Sequence, residues 1–148
     1  MRVGQPISVR GFVTQLKYLA GRPLWEIESF LGYRSGRLAK GAAFATLDRL
    51  PQINEFETAG YSQVAAHRHV MPAGLDPVGL RRMAMSAWTL VGPDRLIKVL
   101  PETPHDSSLR DDEQYPPGQG VPQWKVTSPI QGRIVAVLPS SSHVFRAP

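Results

Sequence analysis

The sequence predicts an α+β fold: a single small domain with helices mainly N-terminal and a small antiparallel sheet from the C-terminal half. Apolar residues recur at three- and four-residue spacings in the first thirty positions, as they do on one face of a helix. Short apolar runs bounded by Pro and Gly are concentrated after residue 92, as is typical of strands. The 148 residues, of which 42% are hydrophobic, suffice for one core, so we expect residues 1–148 to form a single domain.

Two helices are predicted near the N-terminus. Ser8 can cap the first, and its apolar stripe consists of Val9, Phe12, Val13, Leu16 and Leu19. The residues 21–23, Gly-Arg-Pro, end it. The second is short, with Pro23 or Leu24 in its first turn and Gly32 as its stop signal. Its apolar face is formed by Ile27, Phe30 and Leu31.

The middle of the chain gives mixed signals. Residues 36–50 are compatible with a helix of small residues or with a buried strand, and Pro51 closes either one. Residues 54–64 are typical of a strand or an extended loop. Asp76 and Pro77 form an N-cap followed by proline at the first helical position, which predicts another helix. Its apolar face consists of Leu80, Met83, Ala84, Ala87 and Leu90.

The C-terminal third is predicted to supply the sheet. Residues 95–100, 123–127 and 133–138 have the apolar content of core strands. Residues 101–122 are polar and rich in proline, and a connection of this length inside a compact domain is usually functional or disordered. Its Tyr and Pro residues favour an ordered path. Residues 139–148 are predicted to be a tail.

The charge balance favours anionic partners. The chain has 17 Lys and Arg against 12 Asp and Glu, a net charge of +5 and a pI near 10.0. An anionic small molecule, a nucleic acid or an acidic inhibitor or immunity protein would suit it, although scattered arginines also fit a solvated basic surface. Without cysteine there is no disulfide framework or thiolate metal site. No signal peptide or membrane segment is recognisable, which predicts a soluble protein, either cytoplasmic or delivered by a signal-peptide-independent route.

The segment from Tyr115 to Trp124 combines prolines and glycines with two glutamines and aromatic rings. Proline fixes φ and glycine permits positive φ, so the segment can hold a specific loop path. Such a path would present Gln119, Gln123 and Trp124 to a ligand. The alternative is a structural turn that leads into the strand at Trp124.

Residues 23–40 resemble a helix-turn-helix, with Arg34, Arg37 and Lys40 on the recognition helix. Glu28 stands where that motif usually keeps a small alanine. Gly36 and Gly41 weaken the second helix. A simple packed helical pair is the alternative to DNA binding.

Histidines provide a third hypothesis. His67 and His69 could act as general base and acid on a phosphodiester, with Arg68 or Arg82 stabilising the developing charge, as in a metal-independent ribonuclease. His105, much later in the chain, is a further candidate for this site. These histidines with Asp106 could instead ligate a metal, or simply lie on the surface. The interpretation that we adopt needs no metal.

Two parts of the chain carry a family resemblance. The first is residues 33–44, continuing to Arg49-Leu50-Pro51, and the second is the later run Pro-Gly-Gln-Gly-Val-Pro-Gln-Trp at 117–124. In this order they resemble tuberculosis-necrotizing-toxin-type NAD glycohydrolase domains. The resemblance implies that Arg34 and Arg49 hold the NAD phosphates and that Gln123 lies at the scissile glycosidic bond. It implies NAD as substrate, with no metal and no other cofactor.

The chemistry of NAD cleavage suits further residues. Arg37 is a donor for phosphate, and Tyr115, Gln119 and Trp124 are suited to stacking on or hydrogen-bonding the substrate. A glycosidic bond breaks through an oxocarbenium-like state that a polar residue can stabilise, while His67, Glu55 or Glu57 would serve as base. We therefore expect a small basic toxin-like or effector-like enzyme that hydrolyses NAD. A ribonuclease toxin, a helix-turn-helix protein and a non-catalytic assembly or adaptor subunit are the alternatives.

Overall fold

The computed structural model describes residues 1–31, 33, 35–58, 89, 92–102 and 123–146, with the side chains of residues 57 and 58 left out. These residues form five strands, one α-helix and two short 3-10 helices, at Leu16–Tyr18 and Pro93–Arg95. The longer elements in chain order are β1 Pro6–Gln15, α1 Leu24–Phe30, β2 Ala42–Leu47, β3 Phe56–Thr58, β4 Leu96–Pro101 and β5 Gln123–Leu138.

The strands form a closed antiparallel barrel. The order of hydrogen-bonded neighbours is β1, β4, β2 and β5, and β5 pairs again with β1, which closes a ring of four strands. β3 extends the sheet on the free side of β5. The predicted α+β arrangement, with helices mainly N-terminal and a small open sheet, is therefore wrong: within the described residues the protein is mostly strand, and α1 is the one α-helix.

The first predicted helix is a strand. Val9 and Val13 of β1 point into the barrel, whereas Phe12 lies on its outer face, where other residues cover it in part. A strand with apolar groups on both faces loses the simple alternation that identifies strands, and its apolar residues then mimic helical spacing. Gly11 has a φ of +87°, which an α-helix does not contain.

The two strands predicted at 123–127 and 133–138 are parts of one strand, β5, which is 16 residues long. Between Val9 and Gly11 of β1, its pairing advances from Ile130 to Val126, so β5 has extra residues at this point. Pro129 lies in the interruption, where its missing N–H removes no ladder hydrogen bond. The proline therefore marks an irregularity in a continuous strand and not its end.

The other local predictions have mixed outcomes. The short helix predicted from residue 23 or 24 is confirmed as α1, and the strand predicted at 95–100 is confirmed as β4. The ambiguous segment 36–50 contains β2, so the buried-strand interpretation is confirmed there. The helix predicted after Asp76 lies outside the described residues apart from Thr89, as do residues 103–122 of the predicted loop.

Two apolar cores lie on opposite sides of the barrel wall. The inner core fills the barrel and includes Val9, Val13, Phe56, Trp124 and Ile134. The outer core lies between β2, β4 and α1, and includes Leu24, Ile27, Phe44, Ile97 and Phe145. Phe145 belongs to the segment predicted to be a tail; it is fully buried, with its ring stacked on Phe44 at 4.1 Å between centroids. The C-terminal segment thus closes the outer core.

Candidate functional site

Gln123 and Thr14 form a buried polar pair on the outer face of the barrel. They are opposite each other in the β1–β5 ladder, and their neighbours Val13 and Trp124 point into the inner core. The exposed fraction is 2% for Gln123 and 1% for Thr14. The Gln123 Nε2 donates a hydrogen bond of 3.3 Å to the carbonyl of Leu31, the residue that follows α1. Because the last carbonyls of a helix have no partner within it, Gln123 also fixes the end of α1.

A small cavity lies beside this pair, and we call it the Gln123 cavity. Thr14 and Gln123 supply its polar lining, and Phe12 and Tyr33 supply its rings. The rest of its lining is formed by Val13, Leu31, Ile97 and Val99. Its volume is about 10 Å³, which is room for about one water-sized group. The cavity can accept a single polar group of a ligand, while the bulk of that ligand would lie outside.

Lys125 and Phe12 continue the outer face from the cavity. They are opposite each other in the ladder, and the Lys125 Nζ lies 5.9 Å from the centroid of the Phe12 ring. On β3 the register partner of Lys125 is Glu57. Arg10 lies further along β1 and is exposed. An amide, a hydroxyl, an aromatic ring and two cations therefore occupy one continuous strip of the barrel surface.

The loop that carries Arg37 is shaped by Glu28. Glu28 is 5% exposed, and its two carboxylate oxygens accept hydrogen bonds from the backbone N–H groups of Gly36 and Leu38, each at 2.7 Å. Residues 35–40 form turns and β2 begins at Ala42, so the second helix of the predicted helix-turn-helix is not formed. Arg37 and Lys40 therefore lie on a turn. Glu28, which departs from the helix-turn-helix pattern, is the residue that anchors this turn.

Arg49 is held in a two-pronged ion pair with Glu55. Its two terminal nitrogens lie 2.6 Å and 2.7 Å from the Glu55 oxygens. The hydrogen bond from Arg49, aided by the backbone N–H of Gln52, lowers the pKa of Glu55 to about 2, and the same carboxylate raises the pKa of Arg49. The guanidinium predicted to hold NAD phosphates is thus engaged by a carboxylate that bridges the β2–β3 connection.

The described candidate residues do not all converge. The N–H of Thr127 donates to the carbonyl of Glu55 at 2.7 Å, which places Glu55, the partner of Arg49, beside Thr127. Thr127 is four positions along β5 from Gln123, or about 13 Å at the rise of a strand. Trp124 is 5% exposed and packs in the inner core, so its ring is not presented to a ligand as predicted. Of the predicted site residues that the structure describes, Gln123 alone lines the cavity.

Several predicted site residues lie outside the described residues: Arg34, His67, His69, Arg82, His105, Tyr115 and Gln119. Within the described ranges no three His, Cys, Asp or Glu side chains form a group suited to a metal ion. The sequence reasoning missed Thr14, Tyr33 and Lys125. Thr14 is the ladder partner of Gln123 and Lys125 is that of Phe12, so only the recognition of residues 6–15 as a strand would have suggested them.

No known protein family, curated protein or solved structure matches the chain. Where the structure describes the chain, none of its helices has the length and apolar character needed to span a bilayer.

The Arg49–Glu55 ion pair should make the free energy of unfolding depend on pH in the acid range. The pKa of Glu55 falls from 4.5 to about 2 on folding, so the ionised carboxylate stabilises the folded state above pH 4.5. This contribution is lost as the pH falls from 4.5 towards 2. We expect Glu55→Gln to lower the free energy of unfolding at neutral pH and to flatten its decrease in that acid range. Urea unfolding from neutral pH to pH 2, with the exposed Glu102→Gln as control, measures this; identical pH profiles for the protein and Glu55→Gln would contradict it.

Proposed function

We propose that this protein binds a nucleotide-type anion at the mouth of the Gln123 cavity, and that NAD is its substrate. The observation that supports this most directly is the buried pair of Thr14 and Gln123 beside a cavity with aromatic walls. Ligand sites typically combine an apolar or aromatic lining with a few fixed polar groups. The net charge of +5 favours an anionic ligand.

Gln123 is suited to recognise an amide or a base edge. A glutamine amide carries two N–H donors and a carbonyl acceptor, which match the carboxamide of nicotinamide. The hydrogen bond to the Leu31 carbonyl orients this amide, so that less side-chain freedom is lost when a ligand binds. The cavity has room for one water-sized group, which is the size of a carboxamide oxygen or nitrogen.

The aromatic rings and the lysine suit the rest of a nucleotide. Phe12 and Tyr33 border the cavity, where a planar ring at the mouth can contact them. Lys125 lies over the Phe12 ring and supplies a cation for a phosphate group. Tyr33 and Lys125 are only partly buried, so a ligand outside the cavity can reach both.

Hydrolysis is the further part of the proposal, and it depends on the resemblance to NAD glycohydrolase domains. Gln123 cannot supply a proton, but by holding the carboxamide it can position the glycosidic bond for cleavage. That bond breaks with its electron pair on nicotinamide, which leaves as a neutral molecule, while water adds to the anomeric carbon and loses a proton to solvent. Arg49 would have to leave Glu55 to bind a phosphate, so we assign phosphate binding to Lys125 before Arg49.

The variants Gln123→Ala and Thr14→Val test this proposal. We expect each to weaken NAD binding by roughly tenfold, because each removes a hydrogen-bonding group from the cavity. Isothermal titration calorimetry gives the Kd, and chromatography of released nicotinamide gives the rate. Gln131→Ala is the matched control, since Gln131 is an exposed glutamine on the same strand.

Two outcomes would count against the proposal. If the protein does not bind NAD, or if both cavity variants bind it as the unsubstituted protein does, the site is wrongly placed. If NAD binds with the expected dependence on Gln123 and no nicotinamide is released, the binding function stands and the hydrolysis does not. Thr14→Val separates the loss of a cavity group from the loss of the hydrogen bond to Leu31, which only Gln123→Ala removes.

A further inference from the structure

The outer face of the paired strands β1 and β5 carries cations well beyond the Gln123 cavity. Inward positions are fixed by the inner core, which contains Val9 and Val13 of β1 and Trp124, Val126 and Ile130 of β5. The intervening residues therefore point outward. In order of increasing distance from the cavity, the outward ladder partners are Thr14 with Gln123, Phe12 with Lys125, Ser8 with Gln131 and Pro6 with Arg133.

Arg10 lies at the centre of this face. It is exposed, it is outward by alternation between Val9 and Gly11, and it forms no ion pair with the described residues. Arg133 at the far end has a side chain that is 63% exposed, and its Nε lies 3.4 Å from the Asp48 carboxylate. An exposed pair of this kind contributes little, so a phosphate can compete for the arginine.

The length of this outer face and the spacing of its cations fit an extended polymer. From Thr14 to Pro6 the face is eight residues long, or about 26 Å at the rise of a strand. Three cations, Lys125, Arg10 and Arg133, are distributed along it, with the Phe12 ring near the cavity end. Two acidic residues lie beside it: Asp48 next to Arg133, and Glu57 as the register partner of Lys125. The spacing of the cations suits a chain of phosphates better than a compact anion.

We infer that this face, defined by Arg10, Phe12, Lys125 and Arg133 and called the β1–β5 track, binds single-stranded nucleic acid. Barrels that bind single strands combine a cationic surface for the backbone with aromatic rings for the bases, over sites as short as about four nucleotides. An unpaired base can stack on Phe12, whereas the bases of a duplex are stacked on one another. The inference extends the proposed function, because the track shares Phe12 and Lys125 with the mouth of the Gln123 cavity. It adds Arg10 and Arg133, which the proposed NAD site does not use.

The test compares Arg10→Glu with Arg146→Glu. The second variant makes the same charge change on an exposed residue of the C-terminal segment, which packs on the α1 side of the barrel. Fluorescence anisotropy with labelled oligothymidylate and oligouridylate gives the Kd as a function of salt. We expect Arg10→Glu to weaken binding by roughly tenfold or more and to reduce the slope of log K against log salt by about 0.7, the value for one phosphate contact of a single strand. Arg146→Glu should change neither.

The same binding measurements can also contradict the inference. Binding that is unchanged in Arg10→Glu, equally weakened in both variants, or tighter for duplex DNA than for single strands would overturn the inference. NAD binding should be retained in Arg10→Glu. Loss of NAD binding in Gln123→Ala alone, with oligonucleotide binding intact, separates the cavity from the track.

Discussion

Phe145→Ala is expected to lower the free energy of unfolding by about 3–5 kcal/mol, the range for removing a buried phenylalanine ring. The ring is fully buried and stacks on Phe44 with an angle of 8° between the ring planes. Phe44 belongs to β2 and is itself fully buried, so removal of the Phe145 ring leaves a cavity in the outer core.

The backbone around Phe145 makes the effect larger than that of an isolated ring. Pro23 precedes α1 and offers no side-chain cap, so the first N–H groups of the helix need other acceptors. Leu24 and Trp25 donate to the carbonyls of His143 and Ser141, at 2.9 Å and 3.0 Å. The C-terminal segment therefore acts as the N-terminal cap of α1. Loosening this segment should also loosen the helix whose other end is bonded to Gln123.

Urea unfolding of Phe145→Ala and Phe145→Leu measures the prediction. The leucine variant keeps much of the apolar volume and should lose less stability. Val144→Ala is the matched control in the same segment, since Val144 is only partly buried. Hydrogen exchange of the Leu24 and Trp25 amides should accelerate in Phe145→Ala. A loss of about 0.5 kcal/mol or less, the range of surface substitutions, would show that the segment does not stabilise α1.

Local signals predicted only part of this fold. Proline before a short apolar stripe and a glycine after it suffice to locate α1, and a continuous apolar run locates β4. The segment of β1 was wrongly predicted to be a helix for a non-local reason. Its outer face is covered by residues around Leu31 and Tyr33, so Phe12 is apolar on the side that a simple strand would leave polar. The barrel closure depends on pairing between β1 and β5, which are more than a hundred residues apart.

The candidate site, too, could be predicted only where local features of the sequence mark its residues. Gln123 could be singled out because it ends a segment rich in proline and glycine, a local feature. Its partner Thr14 could not, because the strand register that joins them has no signature in either segment. Arg49 has the composition of a phosphate ligand, yet the loop geometry places Glu55 against it. Residue type predicted the chemistry available, whereas topology decided which groups meet.

Glu28→Ala is the second substitution expected to have a large effect, a decrease of about 2–4 kcal/mol in the free energy of unfolding. Removing the carboxylate takes the acceptor from two backbone N–H groups, those of Gly36 and Leu38. A hydrogen bond to a charged group contributes about 1.5–3 kcal/mol, and the Leu38 N–H is buried, where water cannot easily replace the lost acceptor. Glu26→Ala, two positions away on α1, should cost about 1 kcal/mol or less, because its pair with Arg22 is partly exposed.

Glu28→Gln distinguishes the hydrogen bonds from the packing of the side chain. The amide keeps nearly the same shape but has one oxygen, so it can accept from only one of the two N–H groups, and its own N–H₂ opposes the other. We expect an intermediate loss of stability, with the amide proton resonance of either Gly36 or Leu38 shifted in the NMR spectrum. Unchanged resonances for both would show that the carboxylate does not hold the loop. Because this loop carries Arg37 and follows Tyr33 at the cavity, weaker NAD binding in Glu28→Ala would connect the anchoring of the turn to the proposed site.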